Sequence, residues 1–159
     1  MNFEEQKKVF DVEEKKEEGH KIMVKVAGIV NDVGNNFTTM NGGDLSENQS
    51  KLAGYKFHLA DYTCELNRRY ESLDLELKHI RATEWDRIAE EIKSKEGKVK
   101  NKEQIENVLI GLTSKIRSEK ILYETLYYKY KLKISSIDSI IMAISQRIKE
   151  LQKQLEQQI

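Results

Sequence analysis

Residues able to do bond chemistry are few in this chain. The histidines are His20, His58 and His79, and the single cysteine is Cys64. Glu76 and His79 make an E-x-x-H pair that a helix sets on one face, the spacing used by di-iron helical bundles. Such a centre needs two of these pairs plus two further carboxylates, and the chain has one pair. A solvated polar face is the expectation for it. Cys64 has no C-x-x-C partner, no second thiol and no identifiable base, so it is expected on or beside an apolar seam as a small hydrophobe. The "GNN" and "NGG" stretches lack the G-x-x-x-x-G-K-[ST] frame of a phosphate loop, and G-x-S-x-G, H-E-x-x-H and zinc-finger spacings are missing. The expectation is therefore a protein that is not an enzyme, with no catalytic residue, no metal ligand and no cofactor.

What remains is charge beside aromatic rings. From Lys98 to Glu150 there are eleven lysines and arginines against six acids, a net +5 in a chain whose 27 basic and 27 acidic residues otherwise cancel. Lys98, Lys100 and Lys102 crowd one loop, and Arg68, Arg69, Lys78 and Arg81 add charge elsewhere. A basic loop and basic helical faces can follow a phosphate backbone, and exposed tyrosines beside them can stack unpaired bases. The stretch "YETLYYKYKLK", residues 123–133, holds four tyrosines. Tyr123, Tyr127 and Tyr130 fall on an apolar seam and are expected to be buried. Tyr128 lies off that seam beside Lys129 and Lys131 and is the stacking candidate. The competing reading of the same lysines is a solvated face that binds nothing.

These side chains need rods to carry them. Proline is absent, as long helix interiors require. "DLSE" from Asp44 has the form of a capping box, with Ser46 and Gln49 offering a second. Apolar residues follow at Leu45, Leu52, Tyr55, Leu59, Tyr62, Leu66, Leu73, Leu77 and Ile80, prolonged by Trp85, Ile88 and Ile92. This helix is expected to stop near Lys95, where Gly97 can take the left-handed conformation. Asn101 is expected to cap a second long helix. Its seam runs Tyr123, Tyr127, Tyr130, Ile134, Ile137, Ile141, Ile144, Ile148, Leu151 and Leu155 in alternating steps of four and three. A looser stripe of Ile105, Leu109, Leu112 and Ile116 precedes it. Two helices of roughly 50 residues, each about 75–80 Å long at 1.5 Å per residue, give an antiparallel hairpin.

The fold expected is all-α: a long, coiled-coil-like antiparallel helical hairpin over residues 44–159, with a smaller appendage over 1–43. Residues 1–18 carry four lysines and seven acids and suit a marginal helix or an arm without structure. Residues 19–43 are β-branched and turn-rich, which admits a short β-hairpin or an irregular hook; a helix through Ile22–Val33 competes with both. Two helices cannot bury all the apolar residues present. A third element is expected, from the N-terminal segment or another subunit, with a homo-oligomer the preferred source. The longest apolar run, "IMVKVAGIV", is nine residues with a lysine inside. That is short of the ~20 residues that cross a bilayer. With no secretory signal and one cysteine, a cytoplasmic protein is expected.

The order of these features resembles the phage recombination mediators of the UvsY type, over roughly residues 44–151. The resemblance rests on the lead-in "DLSENQSKLAGYKFHLADYTCEL", the charged helix "NRRYESLDLELKHIR", the connector "EGKVKNKEQIENVL" and the segment "LYETLYYKYKLKISSIDSIIMAISQRI". In the last, an apolar seam runs into small residues and an arginine, here Ala143, Ile144, Ser145 and Arg147. It implies a small oligomeric protein that binds single-stranded DNA and helps load a recombinase onto strands covered by single-strand-binding protein. The positions it assigns to DNA are Arg68, Arg69, Lys98, Lys100, Lys102, Lys129 and Lys131. The first 43 residues depart from that pattern. Two other readings stand beside it: a coiled-coil protein-interaction module, such as a phage-encoded inhibitor of a host defence protein, and a structural virion or scaffold component.

Overall fold

The computed structural model describes residues 12–97 and 102–158, with no account of the side chains of residues 12–16 and 96. The fold is all-α: α1 spans Val12–Asn36, α2 Gly42–Glu96, α3 Lys102–Leu112 and α4 Ser114–Glu156, and no strand occurs among the described residues. Two compact units are distinguished. One takes residues up to Thr63 together with those from Tyr130, and the other takes Cys64–Lys129.

The first unit is a three-helix core built on sevens. Gly19, Val26 and Val33 of α1 are buried at seven-residue intervals. So are Leu45, Leu52 and Leu59 of α2, and Tyr130, Ile137 and Ile144 of α4. A seven-residue repeat holds one stripe of a helix toward its neighbours over many turns, so three such stripes close on a common interior. Cross-links fix direction. Gln49 meets Ser145, Lys56 pairs with Asp138 at 2.6 Å, and the Tyr62 and Tyr130 rings stand edge to face at 4.9 Å, so α2 and α4 run antiparallel. Gly19 touches Tyr130 while an Arg147 nitrogen donates to the Thr38 carbonyl at 3.4 Å, so α1 and α4 run in the same direction.

Residues 19–43 therefore form neither a β-hairpin nor a hook. The competing helix is the one present, and α1 supplies the third element from within the chain. Of the β-branched residues that suggested strands, Val26 and Val33 fall seven apart on the buried stripe, whereas Val24 is exposed, and burial of that stripe outweighs the small helix penalty. The start of α2 also departs from expectation. Asn41, rather than Asp44 or Ser46, is the cap: its Oδ1 accepts the Asp44 backbone N–H at 2.9 Å. Asp44 then lies in the first turn, where the exposed N–H groups favour a carboxylate. The end is as the sequence requires. Gly97 has φ 77° and donates its N–H to the Lys93 carbonyl at 2.9 Å, a left-handed stop after Glu96.

The second unit pairs the later part of α2 with α3 and the start of α4. Leu66, Leu73, Tyr123 and Leu126 are buried along it. Ile88, Ile105 and Leu109 form a further cluster flanked by Trp85, Ala89 and Ile92. The single helix expected from Asn101 onward is two helices separated at Thr113; Asn101 itself lies outside the described residues. Thr113 is buried, and its hydroxyl donates back to the Leu109 carbonyl at 2.6 Å while accepting Arg117 Nε at 2.8 Å. The backbone ladder continues across it: the Thr113 N–H donates to the Leu109 carbonyl and the Arg117 N–H to the Thr113 carbonyl, each at 2.9 Å. The apolar register survives the interruption, because Leu109, Ile116 and Tyr123 keep the seven-residue step and none is exposed.

Candidate nucleic-acid interface

The described residues contain no group of three or more histidine, cysteine or acidic side chains placed to hold a metal ion. Glu76 and His79 are both exposed on α2. Cys64 is exposed too, which corrects the expectation of a seam position. The buried positions around it are Tyr62, Thr63 and Leu66, and residue 64 turns away from that stripe.

The basic side chains divide by whether a carboxylate already answers them. Arg68 donates to Glu65 at 2.9 Å, one turn away on its own helix. Arg69 lies 3.8 Å from Glu119 and 5.9 Å from the centre of the Tyr123 ring, so it closes α2 against α4. Lys78 and Lys120 share one acid, Asp74, at 2.7 and 2.5 Å. Two ammonium groups at one carboxylate hold the Asp74 carboxyl down to about 2, chiefly through the bond from Lys120, and the same bond raises Lys120. Glu124 also acts on Lys120, so the two lysines face two carboxylates.

Of the tyrosines, Tyr123 and Tyr130 are buried, Tyr127 is half-buried and Tyr128 is 51% exposed. The Tyr128 ring stands 5.1 Å from that of Tyr127, edge on. Its neighbour Lys129 is exposed and makes no ion pair among the described residues. Both belong to the second unit, with Arg68, Arg69 and Lys102; Lys131 is exposed and belongs to the first. The expected set is therefore spread over different helices. Lys98 and Lys100 lie outside the described residues, whereas Lys102 opens α3 and is exposed.

One feature of the second unit was not anticipated as a site. An open groove of about 660 Å³ is lined by Lys78, Arg81, Ala82, Trp85, Asp86, Lys102 and Glu106. Its floor is the half-buried Trp85, held against the Ile88, Ile105 and Leu109 cluster. The Arg81 guanidinium lies 5.5 Å from the indole centre and is bound by the Glu106 carboxylate across the helix pair. The spacing Lys78, Arg81, Ala82, Trp85 places these residues on one helical face, a pattern that could have been read in advance. It went unread because Trp85 counts equally well as a seam residue. Comparison with protein-family models, with curated proteins and with solved structures gave no match to this chain.

Proposed function

We propose that this is a non-enzymatic protein that binds single-stranded DNA and assists phage homologous recombination by helping to load a recombinase, acting as a homo-oligomer. The observation that carries the reading is Tyr128: an aromatic ring more than half exposed on a helix, next to a lysine with no acidic partner among the described residues. Base–aromatic stacking on such a ring contributes about 1–3 kcal/mol per base. Lys129 supplies the backbone attraction such stacking needs. Recombinase and single-strand-binding protein as partners follow from the sequence resemblance alone.

The test is fluorescence anisotropy with a labelled single-stranded oligonucleotide, first at about 50 mM salt and then at rising salt. Binding is expected, with log K falling linearly against log salt. No binding at low salt would sink the proposal. A protein-interaction module remains the second reading, favoured by Phe57, Leu132 and Met142, each at least 65% exposed in the first unit. Light scattering with and without the oligonucleotide separates the two: a mass that rises with the oligonucleotide supports the first, and an assembly that never takes it up supports the second.

A further inference from the structure

We propose that the Trp85 groove is a seat for one internal nucleotide of a single strand, with its base stacked over the Arg81–Trp85 layer and the phosphates on either side held by Lys78 and Lys102. The inference rests on the single-strand reading above and assigns it a location. A guanidinium lying against an indole is a flat, delocalised surface, and a base can stack on either component. Glu106 fixes that surface by binding Arg81 from α3, so little side-chain freedom is left to lose when a base arrives.

The lysines sit at the two ends of this layer. Arg81 is bound by Glu106 of α3, and Lys102, at the start of α3, lines the same groove as Trp85. Lys78 lies seven residues before Trp85 on α2. At 1.5 Å per residue, Lys78 lies about 10 Å along the helix from Trp85. The long lysine stems let both ammonium groups reach inward toward phosphates flanking one base. Among the described residues Lys78 shares Asp74 with Lys120 and Lys102 makes no ion pair. Of the two acids in the lining, Glu106 is taken by Arg81 and Asp86 is left to offset part of the lysine charge. A free mononucleotide engages one end alone, which is why the groove suits a strand.

Trp85 is the only tryptophan and reports the site directly. Tryptophan emission is to be followed during titration with an oligothymidylate and, separately, with thymidine monophosphate, beside anisotropy on the same oligonucleotide. The expected result is quenching by the oligonucleotide at the concentrations where anisotropy rises, with far weaker quenching by the mononucleotide. In the double variant Lys78→Gln with Lys102→Gln, both exposed positions, quenching is expected to fall several-fold. The salt slope should shrink by about 1.4, two contacts at about 0.7 each. Trp85→Phe keeps a ring against the Ile88 cluster and should retain folding, as circular dichroism checks. If anisotropy shows binding while tryptophan emission stays constant and the double variant binds like the parent, the groove assignment fails and the single-strand reading stands. Equal quenching by the mononucleotide would overturn the strand-spanning arrangement. Absence of binding by anisotropy would remove both.

Discussion

Gly19 shows what one hydrogen atom can specify. A Cβ there would meet Tyr130 Oη at 2.7 Å and Cζ at 3.1 Å, with Tyr62 Cε1 at 3.2 Å. The two rings are buried and packed edge to face, so neither can swing aside cheaply. Gly28, also in α1, has nothing within 4 Å of such a Cβ. Alanine gains about 1 kcal/mol over glycine in a helix interior. Gly28→Ala is therefore expected to stabilise the protein. Gly19→Ala is expected to be worse than Gly28→Ala by about 1–3 kcal/mol through overpacking, measured by urea unfolding. Equal stability of the two variants would mean that Gly19 is not a contact position.

Asp74 gives a residue-scale pH dependence. Its carboxyl titrates at about 2 in the folded protein against 3.8 ordinarily, because Lys120 and Lys78 bond the charged form. A lowered folded value means that its stabilisation is complete above the unfolded value and disappears as pH falls from about 4 toward 2. Asp74→Asn is expected to lower Tm at neutral pH, and the gap from the parent should close on acidification through that window. A gap independent of pH would show that the ion pairs contribute nothing.

At the scale of elements, the seven-residue stripes carry the fold. Leu52 and Ile137 are among the most deeply buried residues, whereas Phe57 and Leu132 on the same helices are 66% and 69% exposed. Leu52→Ala or Ile137→Ala is expected to cost about 2–5 kcal/mol. Phe57→Ala and Leu132→Ala should change stability by no more than about 0.5 kcal/mol, as at other exposed sites. The same denaturant titration measures all four, and a large loss at Phe57 or Leu132 would reveal a covered surface. Much of this was legible. The seams of α2 and α4, the stop at Gly97 and the sorting of Tyr128 from Tyr123 and Tyr130 follow from spacing, since period alone decides which positions share a face. The cap at Asn41 and the interruption at Thr113 were not. Several side chains near the start of α2 could cap equally well, and a buried threonine bonded back in the same way leaves α2 continuous at Thr63, so the residue type gives no sign of a break.

For the molecule as a whole, the question is what the positive charge is for. The sequence shows net +5 from Lys98 to Glu150, but the whole chain is neutral and many of its cations are paired between helices: Lys120 binds Asp74, and Arg81, Arg69 and Lys56 of α2 bind Glu106, Glu119 and Asp138. Binding to single-stranded DNA is thus expected to involve few phosphates. With two to four contacts, the slope of log K against log salt should lie between about −1.4 and −2.8. A much steeper slope would mean that more of the lysines face the strand than the ion pairing allows.

The sequence by itself determined the all-α class, the two long apolar seams and which tyrosines they enclose, because helical period and the absence of proline act locally and need no partner. Only tertiary structure decided that α1 is the third helix of its unit, that Gly19 is a contact point and that Trp85, Arg81, Lys78 and Lys102 border one groove. Those facts depend on which helix faces which and in what register, and they are set by burial and ion pairing between residues far apart in the chain.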